Sequence, residues 1–171
     1  LGKVLEGEDL EGENVLELGC GSGLLSIIMA KKGARVTAVD INEEAVEATK
    51  INAKNNHAEV SALFSDMFGA VKDRFDLIVF NPPYLPVGGD DVNEINDVTY
   101  AGGSTGREVI ELFLETAPKY LKRGGRLLLV ISSLTDEAEV LHLVKEAGMV
   151  PRVAAREKIP WEELIVVECI I

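Results

Sequence analysis

What most constrains this chain is a rhythm. Short apolar runs of strand length alternate with helix-length stretches from Asn14 to Ala147. Parallel neighbours in a sheet need a long crossover, and a helix supplies it, so the alternation predicts an α/β domain with a mainly parallel sheet and helices on both faces. The strand runs are Asn14–Leu18, Arg35–Val39, Ala58–Phe64, Asp76–Phe80 and Arg126–Ser132. The spacing predicts helices over Ser22–Lys32, Glu43–Asn55, Gly106–Leu121 and Thr135–Ala147. Asn42 is placed as an N-cap, Gly33 and Gly148 as stops, and Pro118 should bend or end its helix. The tail breaks the rhythm. Val150–Lys158 and Trp161–Ile171 are separated only by Ile159-Pro160, too little for a crossover, so they must pair antiparallel. The expectation is one domain over residues 1–171, with seven strands of which the last two form a hairpin.

Charge narrows the partners. Seventeen Lys and Arg against 29 Asp and Glu leave a net charge of −12. A protein that grips a phosphate backbone needs basic residues to displace counterions, so a long polyanion is a disfavoured partner. No apolar run is long enough to span a bilayer and no secretory leader is visible. Cys20 and Cys169 lack metal-ligand spacing, and although a pair alone leaves a disulfide open, the expected location is the reducing cytoplasm. The chain starts at Leu1 without an initiator Met, which leaves room for an upstream segment.

Glu17-Leu18-Gly19-Cys20-Gly21-Ser22-Gly23 closes the first strand and opens the first helix. Glycines suit a sharp turn that a ligand must approach without a Cβ in the way. The dinucleotide pattern G-x-G-x-x-G fails here, because its last place falls on Leu24 or Ser26. An acidic residue two before the first of three alternating glycines resembles instead the first motif of S-adenosylmethionine-dependent methyltransferases. Asp40 ends the second strand, where a carboxylate can accept hydrogen bonds from both ribose hydroxyls. By the same resemblance Asp66 would hold the adenine amino group, with Met67 or Phe68 against the ring, and Glu17 would lie near the amino acid end of the cofactor.

Asn81-Pro82-Pro83-Tyr84 follows directly on the fourth strand. In a parallel sheet ligands bind at the carboxyl ends of strands, so this segment should face the same crevice as the glycine loop. A planar nitrogen is a poor nucleophile, its lone pair tied up in conjugation. The Asn81 side-chain oxygen and the Pro82 carbonyl can accept its two hydrogens, orient it and stabilise the charge that develops on methyl transfer. Successive prolines fix the carbonyl direction, and Tyr84 can stack on a flat substrate group. No histidine is needed: His57 falls at a helix end and His142 inside a helix. No metal cluster is expected. The segment from Asn81 to Thr105 reads as a long functional loop.

The tetrapeptide is shared by DNA adenine, ribosomal-RNA and protein glutamine methyltransferases. Asp97 to Ile110, with Tyr100, Gly102-Gly103, Gly106-Arg107 and Glu108, resembles the corresponding segment of the HemK-like glutamine methyltransferases, in their archaeal and eukaryotic release-factor branch. Ser132-Ser133 and Trp161-Glu162-Glu163-Leu164 fit that branch, although Phe is expected where Trp161 stands, and the family's upstream segment is not seen before Leu1. The resemblance implies the seven-stranded Rossmann-like fold of class I methyltransferases and N5-methylation of the glutamine in a Gly-Gly-Gln loop of a class I translation release factor. It also implies a small zinc-containing activator subunit beside the third strand, with Val60, Ala62 and Phe64 as candidate contacts, although each taken singly reads as ordinary core. The rivals are a DNA or RNA adenine methyltransferase and a non-catalytic interaction subunit.

Overall fold

The computed structural model describes residues 1–84 and 105–171. One seven-stranded sheet carries the chain, in the order β3-β2-β1-β4-β5-β7-β6. Its parallel part is β1 (Asn14–Leu18), β2 (Arg35–Asp40), β3 (Val60–Phe64), β4 (Phe75–Phe80) and β5 (Leu121–Ser132). The hairpin of β6 (Val150–Ile159) and β7 (Glu162–Ile170) is antiparallel, as the short connection requires, and β7 lies against β5. The order reverses at β1, between β2 and β4, which opens a crevice at the carboxyl ends of those strands.

Alternate strand residues feed two separate cores. Val15, Leu77, Val79, Leu128 and Val166 face one side, with Met29 of α2 (Leu24–Lys31) and Leu5 of α1 (Gly2–Gly7). Leu16, Leu18, Ile78, Phe80, Leu129 and Val167 face the other, under α4 (Glu108–Thr116) and α5 (Glu137–Glu146). Phe113 of α4 is fully buried there, with its ring centre 4.9 Å from Phe80 and 6.0 Å from Phe68. Its contact with Phe80 fixes the strand end from which Asn81 emerges, and truncation to Ala should cost about 3–5 kcal/mol of stability.

Several boundaries move for identifiable reasons. Helix α3 (Glu43–Asn55) matches its expected span, and Asn42 caps it by accepting from the Glu44 N–H at 2.9 Å. The helix expected over Gly106–Leu121 is instead α4 followed by a 3-10 turn, Ala117–Tyr120, because Pro118 has no N–H to continue the α ladder. The fifth strand starts at Leu121, not Arg126: Gly124, at φ +78, lets the chain shift register within the strand instead of turning before it. Strand β3 starts at Val60, since the Ala58 N–H still closes the end of α3 on Ala53. Thr135 lies in a 3-10 turn, and α5 begins after Asp136, whose side chain accepts from the Glu139 N–H. Trp161 is not a strand residue; Pro160-Trp161 makes the hairpin turn, with Ile159 opposite Glu162. Helix α1 was not expected at all. It is tied down at the amino end of the sheet by Arg126, which bonds Glu8 at 2.9 Å and Glu13 at 3.1 Å.

Strand β3 is an edge of the sheet: Val60 and Ala62 are part-buried, with Val60 packed against the core, and Phe64 is half exposed. Both cysteines are buried free thiols, and burial pushes Cys20 up to about 11 and Cys169 up to about 12.

Candidate active site

The glycine loop is held from three directions. The Cys20 N–H donates to Val39 of β2 at 3.1 Å. The Thr49 hydroxyl donates to the Gly21 carbonyl at 3.1 Å, and the Asn52 amide to the Ser22 carbonyl at 2.9 Å, so α3 clamps the loop from behind. Gly23 permits that clamp: it sits at φ +80, and a Cβ there would lie 2.9 Å from Thr49. Gly21, at φ +53, has open space where a Cβ would be, as a backbone approached by a ligand requires. Asp40 receives the Gly21 N–H on one carboxylate oxygen and the Asn42 N–H on the other, both at 2.9 Å. Two backbone donors thereby fix its direction, while each oxygen keeps a further lone pair for a hydroxyl.

Glu17 lies just behind the glycine loop. It is buried, accepts a hydrogen bond from the Ser26 hydroxyl of α2, and does not line the crevice. Burial pushes its carboxyl up to about 7, against the pull of the Ser26 bonds, and the nearby Asp40 charge adds to the rise. It braces the loop.

The crevice is a cavity of about 280 Å³. Gly19, Gly21 and Asp40 form one wall, Asp66 and Met67 a second, and Asn81 and Pro83 a third. Seven of the expected site residues thus converge on one space. Gly23, Pro82 and Tyr84 stand outside the lining; Pro82 is buried and Tyr84 half buried. Burial, and then the charge of Glu162, raise the Tyr84 hydroxyl above its ordinary value. Phe68 does not reach the cavity either, since its ring stacks on Tyr120 at 4.5 Å in the core. The Ser65 hydroxyl, donating to Met67 and accepting from the Ala70 N–H, shapes the turn that presents Asp66.

Sequence reasoning missed Ile41, Val109 and Leu112, which supply much of the apolar lining. Leu112 is 53 % exposed on α4, where an apolar residue on the outer side of an amphipathic helix was the available clue. A wider hollow of about 750 Å³ lies at the amino ends of the strands, but its walls, Arg35, Glu59, Arg74 and Lys122 among them, include no part of the glycine loop. Tyr100 and Gly102-Gly103 lie outside the described residues. Among the described residues no set of three or more His, Cys, Asp or Glu is placed to hold a metal ion, and no helix is long and apolar enough to cross a membrane.

A glycine turn, two strand-end carboxylates and an Asn-Pro-Pro segment around one cavity, at the reversal point of a seven-stranded sheet with an antiparallel final hairpin, define a class I methyltransferase. Comparison with known proteins agrees. Residues 2–159 match the model of the methyltransferase small domain, and the chain belongs to that family. A Methanocaldococcus jannaschii protein provisionally named as a protein N5-glutamine methyltransferase is 44% identical, over 93% of this chain and 82% of its own. Mouse methyltransferase HEMK2 is 33% identical over 80% of this chain and 68% of its own. The E. cuniculi Mtq2-Trm112 complex, responsible for methylation of the eRF1 translation termination factor, superposes with a TM-score of 0.80 at 28% identity, covering 99% of this chain and 91% of that one. The cofactor is S-adenosylmethionine, which a 26% identical 16S rRNA methyltransferase of this fold from T. thermophilus holds in its solved structure.

Proposed function

We propose that this chain methylates the side-chain nitrogen of a glutamine, at the N5 position, in the Gly-Gly-Gln loop of a class I translation release factor. The observation that carries the reading is the convergence of Asn81 and Pro83 with Asp40, Asp66 and the glycine loop on one cavity. The names of two relatives support the glutamine target, and a third, solved in a complex responsible for methylation of eRF1, supports a termination factor as substrate. The acidic balance of the chain disfavours the nucleic-acid reading of the same tetrapeptide.

S-adenosylmethionine supplies an electrophilic methyl sulfonium. Asp40 would hold the ribose hydroxyls, Asp66 the adenine amino group, and Met67 the ring, with Gly19 and Gly21 leaving room for close backbone approach. Asn81 and the Pro82 carbonyl would accept the two amide hydrogens, aim the nitrogen lone pair at the methyl carbon and stabilise the positive charge on nitrogen. The nitrogen would take the methyl group of the bound cofactor, which is left as the neutral thioether, and would release its extra proton to solvent. Tyr84 would pack on the flat amide.

We also propose that a small activator subunit, zinc-containing by the family resemblance, docks along β3, the edge on which Phe64 is exposed. That a solved relative forms a complex with Trm112 supports a partner subunit, and the exposed β3 edge is the proposed place for it.

The test is a mass-spectrometric assay with S-adenosylmethionine, a release factor carrying Gly-Gly-Gln and the activator. One added methyl group on that glutamine, absent from a Gln→Ala substrate, is the expected result. Asn81→Ala should lower the rate by about 10²–10³ while leaving cofactor affinity within a factor of a few, by analogy with loss of one oxyanion-hole donor. Near-normal turnover of Asn81→Ala would overturn the assignment of the tetrapeptide.

A further inference from the structure

Trp161 is 98 % exposed, and its backbone adopts φ +78, a region that favours glycine. A large ring kept in water on an unfavourable backbone calls for a contact outside the chain, and Trp is among the residues that most often dominate protein interfaces. Its location says which contact.

The hairpin turn Pro160-Trp161 lies at the carboxyl edge of the sheet. Phe80 pairs with Leu129, Ser132 three residues on pairs with Leu164, and Ile159 pairs with Glu162 across the turn. The Ser132 hydroxyl donates to Glu162, and the Glu163 N–H donates to the Ser133 hydroxyl at 3.0 Å, so the turn is pinned to the end of β5. The turn therefore shares the carboxyl rim of the sheet with the methyl-transfer site.

That rim is acidic. Among the described residues Asp136, Glu137, Glu162 and Glu163 gather there; Arg156 bonds Glu137 at 3.0 Å and Glu163 at 2.9 Å and Lys158 stands opposite Glu163 in the hairpin, which leaves Asp136 and Glu162 without a bonded cation. Leu134, 47 % exposed beside these carboxylates, adds an apolar footing.

We propose that Trp161, with Leu134 and the Glu162 carboxylate, docks a basic segment of the protein substrate flanking the target glutamine. An Arg or Lys of that segment stacks on the indole face and is neutralised by Glu162. This rests on the glutamine reading above. A phosphate backbone would meet repulsion at the same place.

The test compares kcat/KM of the wild-type chain with its activator on two substrates, a full-length release factor and a short peptide holding only Gly-Gly-Gln. Trp161→Gly suits the backbone of the turn, so it should melt no lower than wild type. It should lose about tenfold in kcat/KM on the release factor, carried by KM, the size expected of one modest interface anchor. Activity on the short peptide should be unchanged, and Trp161→Phe should recover most of the loss. Equal kcat/KM on the release factor, an equal loss on both substrates, or a loss of RNA-oligonucleotide binding in place of the KM effect would overturn the docking role. Failure of the wild-type chain to methylate either substrate would instead sink the glutamine reading itself.

Discussion

The two edges of the sheet are built on opposite plans. Edge strand β6 carries Pro151, which donates no hydrogen bond, a register shift between Val153 and Ala155, and the charged residues Arg152, Arg156, Glu157 and Lys158. Arg152 and Arg156 are themselves held in ion pairs with Glu168, Glu137 and Glu163. Each of these features discourages another strand from pairing there. Edge strand β3, Val60-Ser61-Ala62-Leu63-Phe64, has neither a proline nor a charge, and it ends in a half-exposed Phe64. An edge without such protection reads as one meant to be covered, and main-chain pairing with a partner strand is the direct way to cover it. The difference is why the proposed activator is placed on β3 and not on the longer β6.

The sharpest way to break this comparison is a charge placed on each edge in turn. Phe64→Lys should weaken activator binding by about 100-fold, the cost of removing a central interface anchor, as read by calorimetric titration. Val150→Lys on β6 should leave that affinity unchanged. Equal losses from both would mean that the edges are not distinguished.

A smaller effect gives a reference that belongs to neither edge. Glu17 sits on the central strand β1, with its carboxyl raised to about 7 from an ordinary value near 4.5. Between those values the folded chain keeps a proton that the unfolded chain has released, so stability falls as pH rises from about 4.5 and the loss is complete above about 7. Glu17→Gln should flatten that slope and gain on the order of 1–3 kcal/mol at pH 8 relative to pH 5, measured by urea unfolding at both pH values. An unchanged slope would place the titration elsewhere.

The smallest expected effect lies on β6. Arg156 bridges Glu137 and Glu163 at the surface, where such pairs contribute little to stability. Arg156→Ala should leave the thermal midpoint within the scatter of replicate melts. A clear drop would show that the bridge, rather than proline and register shift, maintains the β6 edge.

Much of this was legible in the sequence because it depends on neighbours along the chain. The strand–glycine–helix unit at Leu18–Leu24, the Asn42 cap and the hairpin forced by a two-residue connection are local, and local geometry follows local residue types. So does the clustering of Gly21, Asp40, Asp66 and Asn81, since carboxyl ends of parallel strands share one rim. What depends on distant residues was not legible. The bond from Ser26 of α2 that holds the Glu17 carboxylate in the interior could not be read from the sequence. Phe68 looked like an adenine platform until Phe113 and Tyr120 claimed its ring. The apolar wall of Val109 and Leu112 comes from a helix far along the chain. The sequence by itself determined the strands, the turn chemistry and the rim on which a cofactor and a planar nitrogen can meet, because these follow from periodicity and backbone constraint. Only the tertiary structure decided which side chain faces the cavity, which braces it from behind, and which edge stays open, because burial and packing are settled by contacts between segments that the chain order does not bring together.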